Sequence, residues 1–158
     1  MKQNIIDELG ELAIGARLRR MNDIFSKDVS RIYKDNGLDF ETKHFILFYL
    51  ISQRNGIGIM EIADELSLTH PAIINLAKEL EKKGFIESEK SPGDARRRLL
   101  KLSRKGKRSL PAFQQVWKKI EKLNKQLMKA QQHHLLKAIE EMEKMLEDLS
   151  YYKRFQNF

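Results

Sequence analysis

The side chains best placed to do chemistry lie between Thr69 and Arg98, and they suit recognition of a polyanion rather than bond-making. Thr69, His70 and Pro71 are followed by Ile74, Asn75, Lys78 and Lys82. Spacings of three and four put these residues along one face of a helix. An Asn can bond bidentately to an adenine edge, and an aliphatic such as Ile74 can meet a thymine methyl. Lys78 and Lys82 can reach phosphate. Ile73, Leu76, Ala77 and Leu80 occupy the other face, where core packing explains them fully. Taken alone, the polar face equally suits an amphipathic helix turned to solvent.

A second cationic group follows at Arg96, Arg97 and Arg98. On a strand, Arg96 and Arg98 project to one face and Arg97 to the other. At least one should therefore face a phosphate backbone or a narrow, strongly negative minor groove. Asp94 would be repelled by phosphate, so its expected job is to shape the turn by pairing with Arg96 or a neighbour. The competing reading is a solvated basic loop. The charge is concentrated here: residues 85–108 hold nine Lys/Arg against three acids, supplying +6 of the chain's net +8.

The elements that must position these groups can be read from pattern. Residues 4–36 carry helical spacing, with a break, through Ile5, Leu9, Leu12, Ala16 and then Met21, Ile24, Phe25, Val29 and Ile32. Asn36-Gly37 stops that helix. A second helix, Glu41 to Gln53, is apolar on several faces and should be central. A third spans Met60 to Leu66. A fourth starts at Thr69, a capping residue, tolerates Pro71 in its first turn and ends at Lys83-Gly84. Phe85 to Lys90 suits a strand, Ser91 to Asp94 a turn, and Arg98 to Leu102 a returning strand. Ser103 can cap the next helix. Leu110, Phe113, Trp117, Ile120 and Leu127, then Leu135, Ile139, Met142, Leu146 and Leu149, form helical seams for packing against other helices. Pro111 should kink the first of these, and Gln131 to His134 should mark a bend. Two short helices leading into a basic hairpin are the ground plan of a winged helix-turn-helix, which places one helix in the major groove.

The 158 residues are enough for one domain with a helical extension, and 41% hydrophobic content is enough for a core. The absence of cysteine excludes disulfides, thiolate zinc sites and thiol redox sensing. No apolar run approaches the ~20 residues of a membrane span, and the first residues lack a signal peptide's apolar core and cleavage site. A soluble cytoplasmic protein without membrane contact is expected. Nothing resembles a nucleophile–base constellation, a phosphate-cradling glycine loop or a metal motif, so no enzyme, cofactor or metal is expected.

Residues 38–106 resemble the MarR (multiple antibiotic resistance regulator) family of bacterial transcription factors. The resemblance is carried by Phe40-Glu41-Thr42-Lys43-His44-Phe45, Ile62-Ala63-Asp64-Glu65-Leu66 and Leu80-Glu81-Lys82-Lys83-Gly84-Phe85-Ile86. Most specific are Asp94-Ala95-Arg96 and the strand exit Leu102-Ser103-Arg104-Lys105-Gly106. It implies a mainly α fold with a small β-wing: an N-terminal dimerisation segment (1–36), a winged helix-turn-helix DNA-binding domain (37–103) and C-terminal dimerisation helices (104–158). It also implies an obligate homodimer on a near-palindromic operator of double-stranded DNA, most often as a repressor. By position, Thr69, His70, Pro71, Ile74, Asn75 and Lys78 would read DNA, and Arg96, Arg97 and Arg98 would hold backbone or minor groove. Family members often respond to small anionic or aromatic ligands bound between dimer helices and lobe, so a small-molecule effector is implied, although no residue identifies one. His44 with Arg17 or Arg20 falls near that crevice, but His44 equally suits a capped or surface histidine. The alternative function is a winged-helix protein-interaction module without specific DNA binding.

Overall fold

The expected N-terminal break divides a short helix α1 (Ile5–Glu8) from the long α2 (Ile14–Asp35), with a 3-10 turn at Gly10–Ala13 between them. This computed structural model describes residues 4–91 and 94–158, apart from the side chains at 91 and 94–97. Asn4 caps α1, its Oδ1 accepting from the N–H groups of Ile6 and Asp7. Asp7 then takes Arg17 at 3.0 Å and Arg20 at 2.8 Å, fastening α1 to α2.

The expected helix at 41–53 resolves into a 3-10 turn (Thr42–His44) and α3 (Phe45–Ser52). Leu47, Phe48, Leu50 and Ile51 are buried, as a central helix requires. α4 (Ile59–Leu66) and α5 (His70–Lys82) follow as expected. Their joint is made by Ser67, whose backbone is left-handed at φ 52°. There the N–H of Leu68 closes back on Ala63 O at 3.0 Å.

The sheet is antiparallel, in the order β1 (Ile57–Gly58), β3 (Asp94–Leu102), β2 (Ile86–Ser91). β2 and β3 form the hairpin, and β3 begins earlier than the expected Arg98. β1 was not anticipated. Its residues pair with Leu100 and Leu99, a two-residue contact too short to leave any periodicity. The turn expected at Ser91 to Asp94 includes residues 92 and 93, which lie outside the described residues.

α6 (Arg104–Lys129) carries Pro111 in its interior. Ser103 is the expected cap: its Oγ accepts from the N–H of Gly106 at 3.0 Å. The bend at 131–134 separates α6 from α7 (Leu135–Asp148). Ser150, not anticipated as a boundary, caps a further helix α8 (Tyr151–Phe155).

The chain forms two compact units, residues 1–116 and 117–158. In the first, Tyr33, Phe40, Phe48, Phe85 and Phe113 make an aromatic core, with ring centroids 4.7–5.9 Å apart and mostly edge-on. Such geometry places ring edges against ring faces, and each pair adds to area burial. The core joins α2, α3, the end of α5 and the start of α6. The second unit has no buried residue: Leu123, Leu127, Leu136, Met142 and Met145 are all exposed. No helix among the described residues is long and apolar enough to cross a membrane.

Candidate nucleic-acid interface

α5 is built to stand firmly on one side and be free on the other. Thr69 caps it, with Oγ1 accepting from the N–H of Ala72 at 3.4 Å, and Pro71 sits in the first turn. At its C-terminus Gly84 (φ 76°) allows a reversal in which the N–H of Phe85 reaches Leu80 O at 3.0 Å and that of Gly84 reaches Glu81 O at 2.8 Å. Ile73, Ala77 and Leu80 are buried and Leu76 is half-buried. Thr69, His70, Pro71, Ile74, Asn75 and Lys78, the expected readers, are all exposed along the other face. Ile74 is 37% exposed, an apolar side chain with no place in the core.

The end of α5 is tied to the start of α6. Ser103 Oγ donates to Gly84 O at 2.5 Å, and the N–H of Ser103 donates to Phe85 O at 3.1 Å. Lys105 Nζ donates to Lys83 O at 2.6 Å and lies 4.5 Å from the Phe85 ring centroid. Strand β3, which carries the arginines, therefore leaves the sheet at a fixed point beside α5.

On the hairpin, Lys101 pairs with Glu87 at 3.6 Å and with Glu89. The hydrogen bond to Glu89 is the main cause that raises the Lys101 pKa above the usual lysine value. Those two acids are thereby taken up. Lys90 and Arg98 stand directly opposite each other across the strands, both exposed. No ion pair among the described residues includes either. Like charges facing each other across a ladder are destabilising, so an anionic partner would relieve this pair. Sequence reasoning counted Lys90 only as charge, because its register against Arg98 exists only once the hairpin has formed. Asp94, Arg96 and Arg97 belong to β3 by backbone, but their side chains lie outside the described residues, and with them the expected Asp94–Arg96 pairing.

A polar cluster lies beside α5. His44 is fully buried, so it is no surface histidine. Its Nδ1 faces the N–H of Glu41 at 3.4 Å, and its Nε2 lies 2.7 Å from Glu79 Oε2. An N–H can only donate, so Nδ1 accepts and Nε2 carries the hydrogen given to Glu79. Lys43 reaches the same carboxylate oxygen at 2.7 Å. Hydrogen bonds from Lys43 first and His44 second hold the Glu79 carboxyl below its usual range. Lys83 similarly pairs with Asp39 at 2.7 Å and lowers its pKa. Arg17 and Arg20, considered with His44 as crevice residues, are engaged with Asp7.

Donor atoms of Glu41, His44 and Glu79 lie within 4.8 Å of one another, a spacing a metal ion could use. The hydrogen-bond pattern opposes this. Nε2 must be free of its hydrogen to bind a metal, and Nδ1, facing a donor, cannot take that hydrogen instead. Lys43 already supplies the positive charge. Glu79 was missed by the sequence reading because its partners are 35 and 36 positions away.

Residues 41–97 match the model of the MarR family. No curated protein matches the chain. Several solved structures do. The Staphylococcus aureus MepR–DNA complex aligns with TM-score 0.67 and 22% identity over 85% of this chain and 96% of that one. Overoxidized AbfR bound to DNA aligns with TM-score 0.66 and 19% identity over 94% and 99%. The transcriptional regulator BldR from Sulfolobus solfataricus aligns with TM-score 0.63 and 16% identity over 93% and 100%. The resemblance carried by the motifs is thus seen again in the family model and in the architecture: a mainly helical chain with a small winged sheet of the MarR type.

Proposed function

We propose that this chain is a dimeric, sequence-specific DNA-binding regulator of transcription, a cytoplasmic repressor of the MarR type whose hold on DNA is relieved by a small-molecule ligand. One observation carries the reading: the exposed face of α5, with Asn75 and Ile74 among it, stands in the same domain as a hairpin whose Lys90 and Arg98 lack an anionic partner among the described residues. MepR and AbfR, which share the fold, are bound to DNA in their structures.

In this reading α5 enters the major groove with Asn75 on an adenine edge and Ile74 against a thymine methyl, while Thr69, His70, Pro71 and Lys78 hold adjacent positions. Arg96, Arg97 and Arg98 lie along the backbone or in the minor groove, and Asp94 shapes the wing. Residues 1–36 and 104–158 dimerise, and 37–103 bind DNA. The exposed apolar residues at both ends support a second copy: Leu12 is 83% exposed and Met142 is 54% exposed. Large contiguous apolar patches of exposed residues mark interaction surfaces. The role is one of binding, not catalysis.

Selection of bound sites from random duplex DNA tests the proposal. The expected outcome is a near-palindrome with half-sites about one helical turn apart. Recovery of sequences with no shared motif would overturn it.

A further inference from the structure

We propose that His44 is the positioning residue of the recognition helix, fixing through Glu79 the orientation in which α5 presents Asn75. The inference rests on the reading of α5 as the base-reading helix, and it names a residue that touches no DNA.

The turn at 42–44 is held by three contacts, two of them to α2. Thr42 Oγ1 donates to Ser26 O at 2.9 Å, and the N–H of Thr42 donates to Ser30 Oγ at 3.2 Å, so the turn is fastened to α2. Phe40 buries the His44 ring edge-on, with centroids 5.5 Å apart. From this anchored point the Nε2–H of His44 reaches Glu79 Oε2 at 2.7 Å. Glu79 stands four residues, about one turn, beyond Asn75 on the same helix. A helix moves as a rigid body over one turn, so a rotation or slide at Glu79 appears at Asn75.

The tautomer makes the link directional. With Nδ1 accepting from the N–H of Glu41, the ring has one donor to give, and it points at Glu79. Lys43 also bonds Glu79, but its side chain is 49% exposed and that of Glu79 is 42% exposed. Such a solvated ion pair contributes little to orientation. The buried imidazole, with only limited freedom to turn, supplies the geometry.

The test compares affinity for the selected site with affinity for random DNA, at fixed salt, in the full-length protein. Glu79→Ala should lower the ratio of specific to random affinity by about tenfold, because the buried Nε2–H donor of His44 loses its acceptor. Random-DNA affinity, carried by the cations, should hardly change. Glu79→Gln should restore most of the ratio, because its amide oxygen still accepts from Nε2–H. Lys43→Met should stay close to the parent. His44→Phe should match Glu79→Ala, and the double variant should lose no more than either single one.

An unchanged ratio in Glu79→Ala, in a protein whose parent is specific, overturns the positioning role and leaves the DNA reading standing. Equal losses for Glu79→Ala and Glu79→Gln overturn it too, because charge rather than the bond would then be responsible. A parent with no sequence preference overturns the base-reading assignment itself. Should the Ala variant fail to fold, nitrogen-15 spectroscopy of the unmodified protein decides: the hydrogen on Nε2 is expected, and a hydrogen on Nδ1 overturns the proposal.

Discussion

A Cβ placed on Gly106 would lie 2.0 Å from the carbonyl oxygen of Phe85. The backbone of α6 thus touches the backbone that leaves α5, and the same carbonyl accepts the N–H of Ser103 at 3.1 Å. A shift at Gly106 would strain its N–H bond to Ser103 Oγ, and a shift at Phe85 would strain the bond from Ser103 N–H to its carbonyl. Gly106→Ala should therefore destabilise the protein by about 2–3 kcal/mol, the upper range of overpacking costs. Urea denaturation would read this as a lowered midpoint, and an unchanged midpoint would contradict the contact.

Phe113 is fully buried and meets Tyr33, Phe40, Phe48 and Phe85. Phe113→Ala removes the ring these others share, at a cost of about 3–5 kcal/mol. The loss should appear in thermal or chemical unfolding at neutral pH. A cost below about 1 kcal/mol would mean that the aromatic core closes around the gap, against the usual behaviour of close-packed interiors.

The two halves of the proposed interface should fail differently. Asn75→Ala should cost about 1–3 kcal/mol on the selected site and relax preference at one base position. Arg98→Ala or Arg96→Ala should weaken binding to all sequences and lower the salt slope by about 1. Asp94→Ala must be measured beside Arg96→Ala, since Asp94 is expected to hold that arginine. Binding should fall steeply between about 50 and 200 mM salt. A nearly flat salt response would favour the protein-interaction module instead.

Asp7 sits against Arg20 and Arg17, and the hydrogen bond from Arg20 is the first cause that lowers its pKa below the ordinary value of 3.8. A carboxyl with a depressed folded-state pKa stabilises above its unfolded value and loses that contribution as pH falls through the folded one. Asp7→Asn should therefore be less stable than the parent at pH 7. The two should converge as the medium is acidified below the ordinary aspartate value. A gap of constant size across the titration would show that the ion pairs do not cause it.

Leu12 and Met142 are exposed apolar residues within the proposed dimerisation segments. Sedimentation at micromolar concentration should give a dimer, and Leu12→Glu or Met142→Glu should shift it towards monomer. A folded parent that sediments as a stable monomer would remove the dimer from the proposal.

Much of the fold was legible because its signals are local. Thr69 and Pro71 mark the start of α5 and Gly84 its end, since capping and φ preference act within a few residues. The buried face of α5 was readable from the three- and four-residue spacing of Ile73, Ala77 and Leu80. Ser67 was not legible as the joint between α4 and α5: a serine at φ 52° goes against its backbone preference, and no glycine or asparagine marks the left-handed cap that the N–H groups of Ser67 and Leu68 close onto Asp64 and Ala63. β1 was not legible either, because two residues form a strand only when Leu99 and Leu100 are brought alongside.

By itself the sequence determined the order of the longer helices and the hairpin, the polar face of α5, the basic charge of that hairpin and the family resemblance, all of which depend on residue type and short spacing. Tertiary structure alone decided that Lys90 faces Arg98, that Gly106 packs on Phe85, and that His44 is buried with its one donor aimed at Glu79. Each is a meeting of distant segments. A hydrogen bond or a steric contact has a direction and a length, and neither exists until the folded backbone places both partners.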